Sequence, residues 1–185
     1  MRLFVAINLP AEEKQRLSTI LEELRKHDVP VRWVDADSLH ITLKFLGEVP
    51  EPNAAEVGSA MREAAANRSC FQLRIADFGA FPSMSRPRVF WLGVEAPPQL
   101  AELQARVESR IAPLGFPSEK RLFSPHLTLG RVRNNAHIEP ADADRFAGQV
   151  VYNAVVPVDS IELMRSHLSP RGARYEVLES VRLSK

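Results

Sequence analysis

Two segments of the 185-residue chain share one pattern of residue types, SLHITLKFLG at 38–47 and SPHLTLGRVR at 124–133. Each runs serine, any residue, histidine, apolar, threonine, leucine. The histidines, His40 and His126, are separated by nearly half the chain, a spacing that an internal duplication would give. An imidazole titrates near neutral pH and suits general acid–base chemistry. Two of them across one cleft allow one ring to take a proton while the other gives one. The hydroxyls of Thr42 and Thr128 are placed to donate hydrogen bonds to an anion between the rings. A phosphodiester fits such a site. Its leaving oxygen needs a proton, and its non-bridging oxygens gain charge in the transition state.

Both segments read as strands, so side chains two apart share a face. Strict alternation places His40, Thr42 and Lys44 together, opposite Ile41, Leu43 and Phe45. In the second segment it places His126, Thr128 and Gly130 together, opposite Leu127 and Leu129. A zinc or iron site is the main chemical rival. It usually requires three or four protein ligands, and each motif supplies one histidine with no acid on its face. No metal ligand set is therefore expected.

The elements that must hold these strands follow from periodicity and turn residues. Strands are expected at 2–8, 38–46, 70–78, 88–94 and 126–132, with a short extended piece at Trp33. Helices are expected at 10–26, 53–66 and 100–111. Residues 134–147 read as loop plus a short helix. The spans 158–167 and 175–183 read as a closing antiparallel pair joined by the turn LSPRGA. Elements of both kinds alternate in two rounds, which predicts a mixed fold with largely antiparallel sheets.

Composition bounds the partners. With 24 Lys and Arg against 23 Asp and Glu, the net charge of +1 excludes a highly basic nucleic-acid coat. Basic residues concentrate in 117–135 and 165–185, on either side of an acidic stretch, and an anion is expected near the basic tracts. The single Cys70 excludes an intramolecular disulfide framework. No run approaches 18 apolar residues, and MRLFVAINLP reads as a strand rather than a signal segment. The expectation is a cytoplasmic protein with no membrane contact.

The tetrapeptides His40-Ile41-Thr42-Leu43 and His126-Leu127-Thr128-Leu129 resemble the paired HxTx signatures of the 2H phosphoesterase family. With RLFVAINLP, SLHITLKFLGEV and SPHLTLGRV, the chain looks like the RNA 2′,3′-cyclic phosphodiesterases, also called 2′-5′ RNA ligases. The resemblance runs over the whole chain. It implies an α+β fold: a single bilobed domain over 1–185, two pseudo-symmetric antiparallel sheets with helices outside, and a central cleft. It implies hydrolysis of an RNA terminal 2′,3′-cyclic phosphate to a 2′-phosphomonoester, with no cofactor, and the reverse 2′-5′ joining. It assigns His40 as proton donor, His126 as proton acceptor, and Thr42, Thr128 and Arg131 as phosphate-binding residues. The partners it implies are RNA ends such as tRNA halves or short oligoribonucleotides, handled by a monomer.

Further candidates surround these. Val5 stands where relatives place a second aromatic, which leaves base stacking to Phe4, Trp33 or Phe45. Lys44, by its strand face, and His167, in the basic turn near the C-terminus, are candidate rim residues. His27 reads as a helix-end residue and His137 as exposed. Two alternatives remain open at this point. One is another 2H reaction, on a small cyclic nucleotide or in 3′-5′ RNA trimming, which the rim loops 80–88 and 134–147 would distinguish. The other is a non-catalytic module that binds RNA ends.

Overall fold

The two motif strands, β3 (His40–Glu48) and β6 (His126–Val132), lie side by side at the middle of one sheet. In the computed structural model, which describes residues 1–169 and 172–185, they meet antiparallel through the pair Ile41 and Leu127. On one side of this seam β3 is followed by β1 (Arg2–Asn8), β8 (Ser160–Ser169) and β9 (Gly172–Arg182). On the other, β6 is followed by β5 (Val89–Glu95), β4 (Phe71–Phe81) and the edge strand β7 (Asn153–Val158). The short β2 (Val31–Trp33) also pairs with β6. All pairings between these strands are antiparallel. The fold is the expected α+β class, with its two half-sheets continuous through the seam.

Among the described residues four α-helices cover the sheet: α1 (Ala11–Arg25), α2 (Ala54–Ala65), α3 (Pro98–Ile111) and α4 (Pro140–Gln149). Helix α1 begins after Pro10, carries Glu12 and Glu13 in its first turn and Arg25 in its last, and so complements its dipole. It buries Leu17, Leu21 and Leu24, one helical stripe. Helix α3 does the same with Leu100, Leu103, Val107 and Ile111. Small residues Ala60 and Ala64 on α2 accompany its close packing on α3. One continuous apolar core holds residues of both half-sheets, from Leu3 and Ile41 to Leu92 and Leu127.

The sequence expectations missed β7. Its segment NAVVPV alternates exposed and buried residues, but Pro157 argues against a strand. The sheet order resolves this: β7 is an edge, where a missing N–H costs little. The closing pair is β8 and β9, and the tip of the LSPRGA turn lies outside the described residues.

Strict alternation fails at the same place in both motifs. On β3, Ala6 faces Thr42 while Val5 faces Lys44, so Leu43 is an extra residue. On β6, Trp91 faces Thr128 while Phe90 faces Gly130, so Leu129 is an extra residue. Each bulge re-aims the chain beyond it. Lys44, expected beside His40, instead turns to the core. It is 2% exposed, and its ammonium meets Glu108 Oε2 at 2.5 Å and the Pro117 carbonyl at 2.9 Å. Gly130 likewise leaves the histidine face. A Cβ there would stand 2.5 Å from the Trp33 ring.

The pairing of Lys44 gives a stability prediction. Lys44→Met strands the Glu108 carboxylate and should cost about 3–5 kcal/mol, whereas adding Glu108→Leu should recover most of that loss. Urea unfolding of the two variants measures it. Equal stability of Lys44→Met and the parent protein would show that the pair contributes nothing.

Candidate active site

The seam register sets the site. With Ile41 opposite Leu127 in antiparallel strands, His40 comes opposite Thr128 and Thr42 opposite His126. Directly opposed residues have Cβ atoms about 4.5–5.5 Å apart. Ile41 and Leu127 are buried in the core, so the four polar side chains share the other face. Two histidines and two threonines therefore mark the corners of a small polar quadrilateral.

Each imidazole is held by the serine that opens its motif. His40 Nδ1 lies 2.7 Å from the Ser38 carbonyl, and His126 Nδ1 lies 2.9 Å from the Ser124 carbonyl. A carbonyl only accepts, so in both rings Nδ1 carries the hydrogen and Nε2 is left for chemistry. Aromatic rings fix the imidazoles further. His40 lies 4.8 Å from the Phe4 ring and 5.0 Å, edge-on, from Tyr175. His126 meets Phe81 edge-on at 5.0 Å. Lys14 of α1 donates to the Asp37 carbonyl at 2.8 Å, beside the serine that orients His40.

Burial pushes the His40 pKa below the ordinary histidine value. Its bond to Ser38 opposes that shift, and the charges of Lys14, Arg131 and His126 add to it. Burial also pushes the Tyr175 phenol up, against the pull of Arg131 and Arg2. At neutral pH the unliganded site thus favours a neutral imidazole at His40. The His40 imidazole of the free protein should therefore take up its proton only below the ordinary histidine range, which an NMR titration of its ring protons measures. A midpoint at or above that range would contradict the burial of His40.

Two hollows flank the histidines. One, about 570 Å³, is lined by His40, Thr42, Phe45, Tyr175 and Arg131, with Arg2 and Arg32 at its edge. The other, about 660 Å³, is lined by His126, Thr42, Phe45, Phe81 and Phe123. Thr42 and Phe45 border both. Arg131 and Phe45 each stand five residues after a motif histidine, and the matched bulges bring both to the histidine face. Phe45, assigned to the apolar face by alternation, is 46% exposed here.

The remaining candidates are placed as follows. Phe4 is buried with Ala6, Met164 and Tyr175 and forms the wall behind His40. Trp33 borders the hollow beside His40 but is corrected from a base-stacking candidate to a core residue. It is 8% exposed, stacks on Phe90, meets the edge of Phe146 and has Gly130 against its ring, leaving no face for a base. Lys44 is corrected by its burial with Glu108. His167 is not in the cleft; Ser166 and Leu168 line it, and His167 pairs with Glu176 on the other face. Val5 is in the core, so its departure from the family pattern removes nothing from the cleft. The residues that sequence reasoning missed are Tyr175, Arg2 and Arg32 beside His40, Phe81 and Phe123 beside His126, and Lys14. Only the two serines were signalled, by their place in the repeat. Among the described residues no three His, Cys, Asp or Glu side chains converge as a ligand set.

Fold and site together define a two-histidine, 2H phosphoesterase-like protein, and comparison with known proteins narrows this. The model of the 2′-5′ RNA ligase superfamily matches residues 10–170. A Thermotoga maritima protein named RNA 2′,3′-cyclic phosphodiesterase is 34% identical over 96% of this chain and 93% of its own. An Aeropyrum pernix protein of the same name is 36% identical over 90% and 94%. A crystal structure from Thermus thermophilus superposes with a TM-score of 0.82 at 30% identity, covering 99% of this chain and 98% of that one. The E. coli LigT complex with 3′-AMP gives 0.75 at 31%, covering 100% and 98%. The chain belongs to the 2′-5′ RNA ligase superfamily. No helix is long and apolar enough to cross a membrane, among the residues described.

Proposed function

We propose that the protein hydrolyses an RNA terminal 2′,3′-cyclic phosphate to a 2′-phosphomonoester, and in reverse joins such an end to a 5′-hydroxyl in a 2′-5′ linkage. The observation that carries this reading is the quadrilateral of His40, Thr128, Thr42 and His126 across the β3–β6 seam. His126 Nε2 takes the proton of the attacking water. The bond from phosphorus to O3′ breaks, and His40 gives its proton to O3′. The two threonine hydroxyls and the Arg131 guanidinium stabilise the non-bridging oxygens as their charge grows. An arriving phosphate anion favours the imidazolium, opposing the burial that keeps His40 neutral. The donor is thus charged by the substrate it serves.

Several features support an RNA end as substrate. The hollow beside His40 has three arginines for a polyanion, and the relatives carry the name of that activity. The continuous core across both half-sheets supports one bilobed domain over 1–185 acting as a unit. We assign tRNA halves or short oligoribonucleotides as its substrates, met in the cytoplasm by a monomer. The reaction draws on protein groups alone and needs no metal or other cofactor. A 2′,3′-cyclic-phosphate oligonucleotide incubated with the protein in EDTA tests this. The expected product ends in a 2′-phosphate. Activity lost in EDTA and restored by one divalent ion, or a 3′-phosphate product, would overturn it.

A further inference from the structure

We infer that the hollow beside His126 is the binding site for the acceptor in the joining direction, a nucleoside presenting its 5′-hydroxyl. The inference rests on the function proposed above and assigns a second substrate subsite within it. In-line displacement puts the attacking and leaving oxygens on opposite sides of phosphorus. With His40 serving the leaving O3′, the nucleophile enters at His126. A water molecule needs about 30 Å³. The hollow there encloses about 660 Å³. The attacking water of hydrolysis fills only a small part of that space.

The lining fits a nucleoside. Phe45, Phe81 and Phe123 give aromatic surface on which a base can stack whatever its identity. Arg121 lies on the same wall, where its guanidinium suits the next phosphate of an acceptor strand. Phe45 and Thr42 divide this hollow from the one beside His40, so two nucleosides can flank one phosphate. The wall is anchored as well: the buried ammonium of Lys44 holds the Pro117 carbonyl at the start of the segment bearing Arg121 and Phe123.

The step balances without a further reactant. The acceptor 5′-oxygen forms a bond to phosphorus as the bond to O3′ breaks. The 5′-hydroxyl proton passes to His126 Nε2, and the His40 proton passes to O3′. The product is a 2′-5′ phosphodiester beside a free 3′-hydroxyl.

The test uses the whole protein, a 2′,3′-cyclic-phosphate oligonucleotide as donor and a 5′-hydroxyl trinucleotide as acceptor. Methanol serves as an acceptor too small to use the pocket. Joined product should saturate with trinucleotide, and the trinucleotide should outcompete methanol at equal concentration by at least about tenfold. Phe123→Ala should lower that preference about tenfold. Arg121→Ala, an exposed change that spares the core, should lower it several-fold, which keeps the proposal testable if the first variant folds poorly. Linear dependence on trinucleotide, with no preference over methanol, would overturn the inference. So would preferences unchanged in Arg121→Ala and in folded Phe123→Ala, which would leave the donor's own strand as the occupant. A parent protein that fails to hydrolyse the donor would instead overturn the underlying function.

Discussion

Replacing either motif histidine by alanine is expected to lower turnover of the cyclic phosphate by about 10²–10⁴-fold. The double variant should be little slower than the worse single one. In the proposed mechanism acid and base act in a single displacement, so their losses should not multiply. The two roles separate with a donor whose 3′-bridging oxygen is replaced by sulfur. A thiolate leaves with little need of a proton, since thiols are far more acidic than alcohols. His40→Ala should recover most of its lost rate on that donor, whereas His126→Ala should stay slow. The opposite pattern would exchange donor and acceptor while keeping the two-histidine mechanism. Recovery of neither, or singles that multiply in the double variant, would remove proton transfer from both rings.

The next largest effect is expected at Arg131. Its guanidinium lines the hollow beside His40, and its charge is felt by both His40 and Tyr175. Loss of one oriented donor to a developing anion costs about 2.7–4 kcal/mol, or roughly 100–1000-fold in rate. Arg131→Ala should fall in that range, chiefly in kcat. Thr42→Val and Thr128→Val remove a neutral donor and should lie at or below its lower end. Arg131→Lys should recover only part of the loss, because an ammonium lacks the planar fork that spans two phosphate oxygens. Steady-state kinetics on one cyclic-phosphate oligonucleotide measures all four. An Arg131→Ala enzyme with unchanged kcat and KM would show that this side chain does not reach the phosphate.

Much of the site was legible in the chain because its chemistry is local. The Ser-x-His-x-Thr pattern carries the histidine, the hydroxyl two residues on and the carbonyl two residues back within one stretch of backbone. The helices were legible for a similar reason: the stripes of α1 and α3 repeat at helical spacing and their ends are marked by prolines and charges. The failures cluster where pairing partners act. Nothing local to KFLG announces that Leu43 is an extra residue against β1, so alternation put Lys44 beside His40 and Phe45 in the core. Nothing in VRW shows that Phe90, Phe146 and Gly130 will enclose Trp33.

Residue order alone specified the two histidine–threonine pairs, the half-chain spacing of their strands, and the resemblance that singled out Arg131. Which side chains stand with them was settled in three dimensions. The seam between β3 and β6 sets each histidine opposite the other motif's threonine, and a bulge in each strand turns Phe45 and Arg131 toward the histidine face and Lys44 and Gly130 away. A strand's own periodicity fixes side-chain direction only while its register is unbroken. Register is a property of two strands, and it is set by the packing of both against a common core.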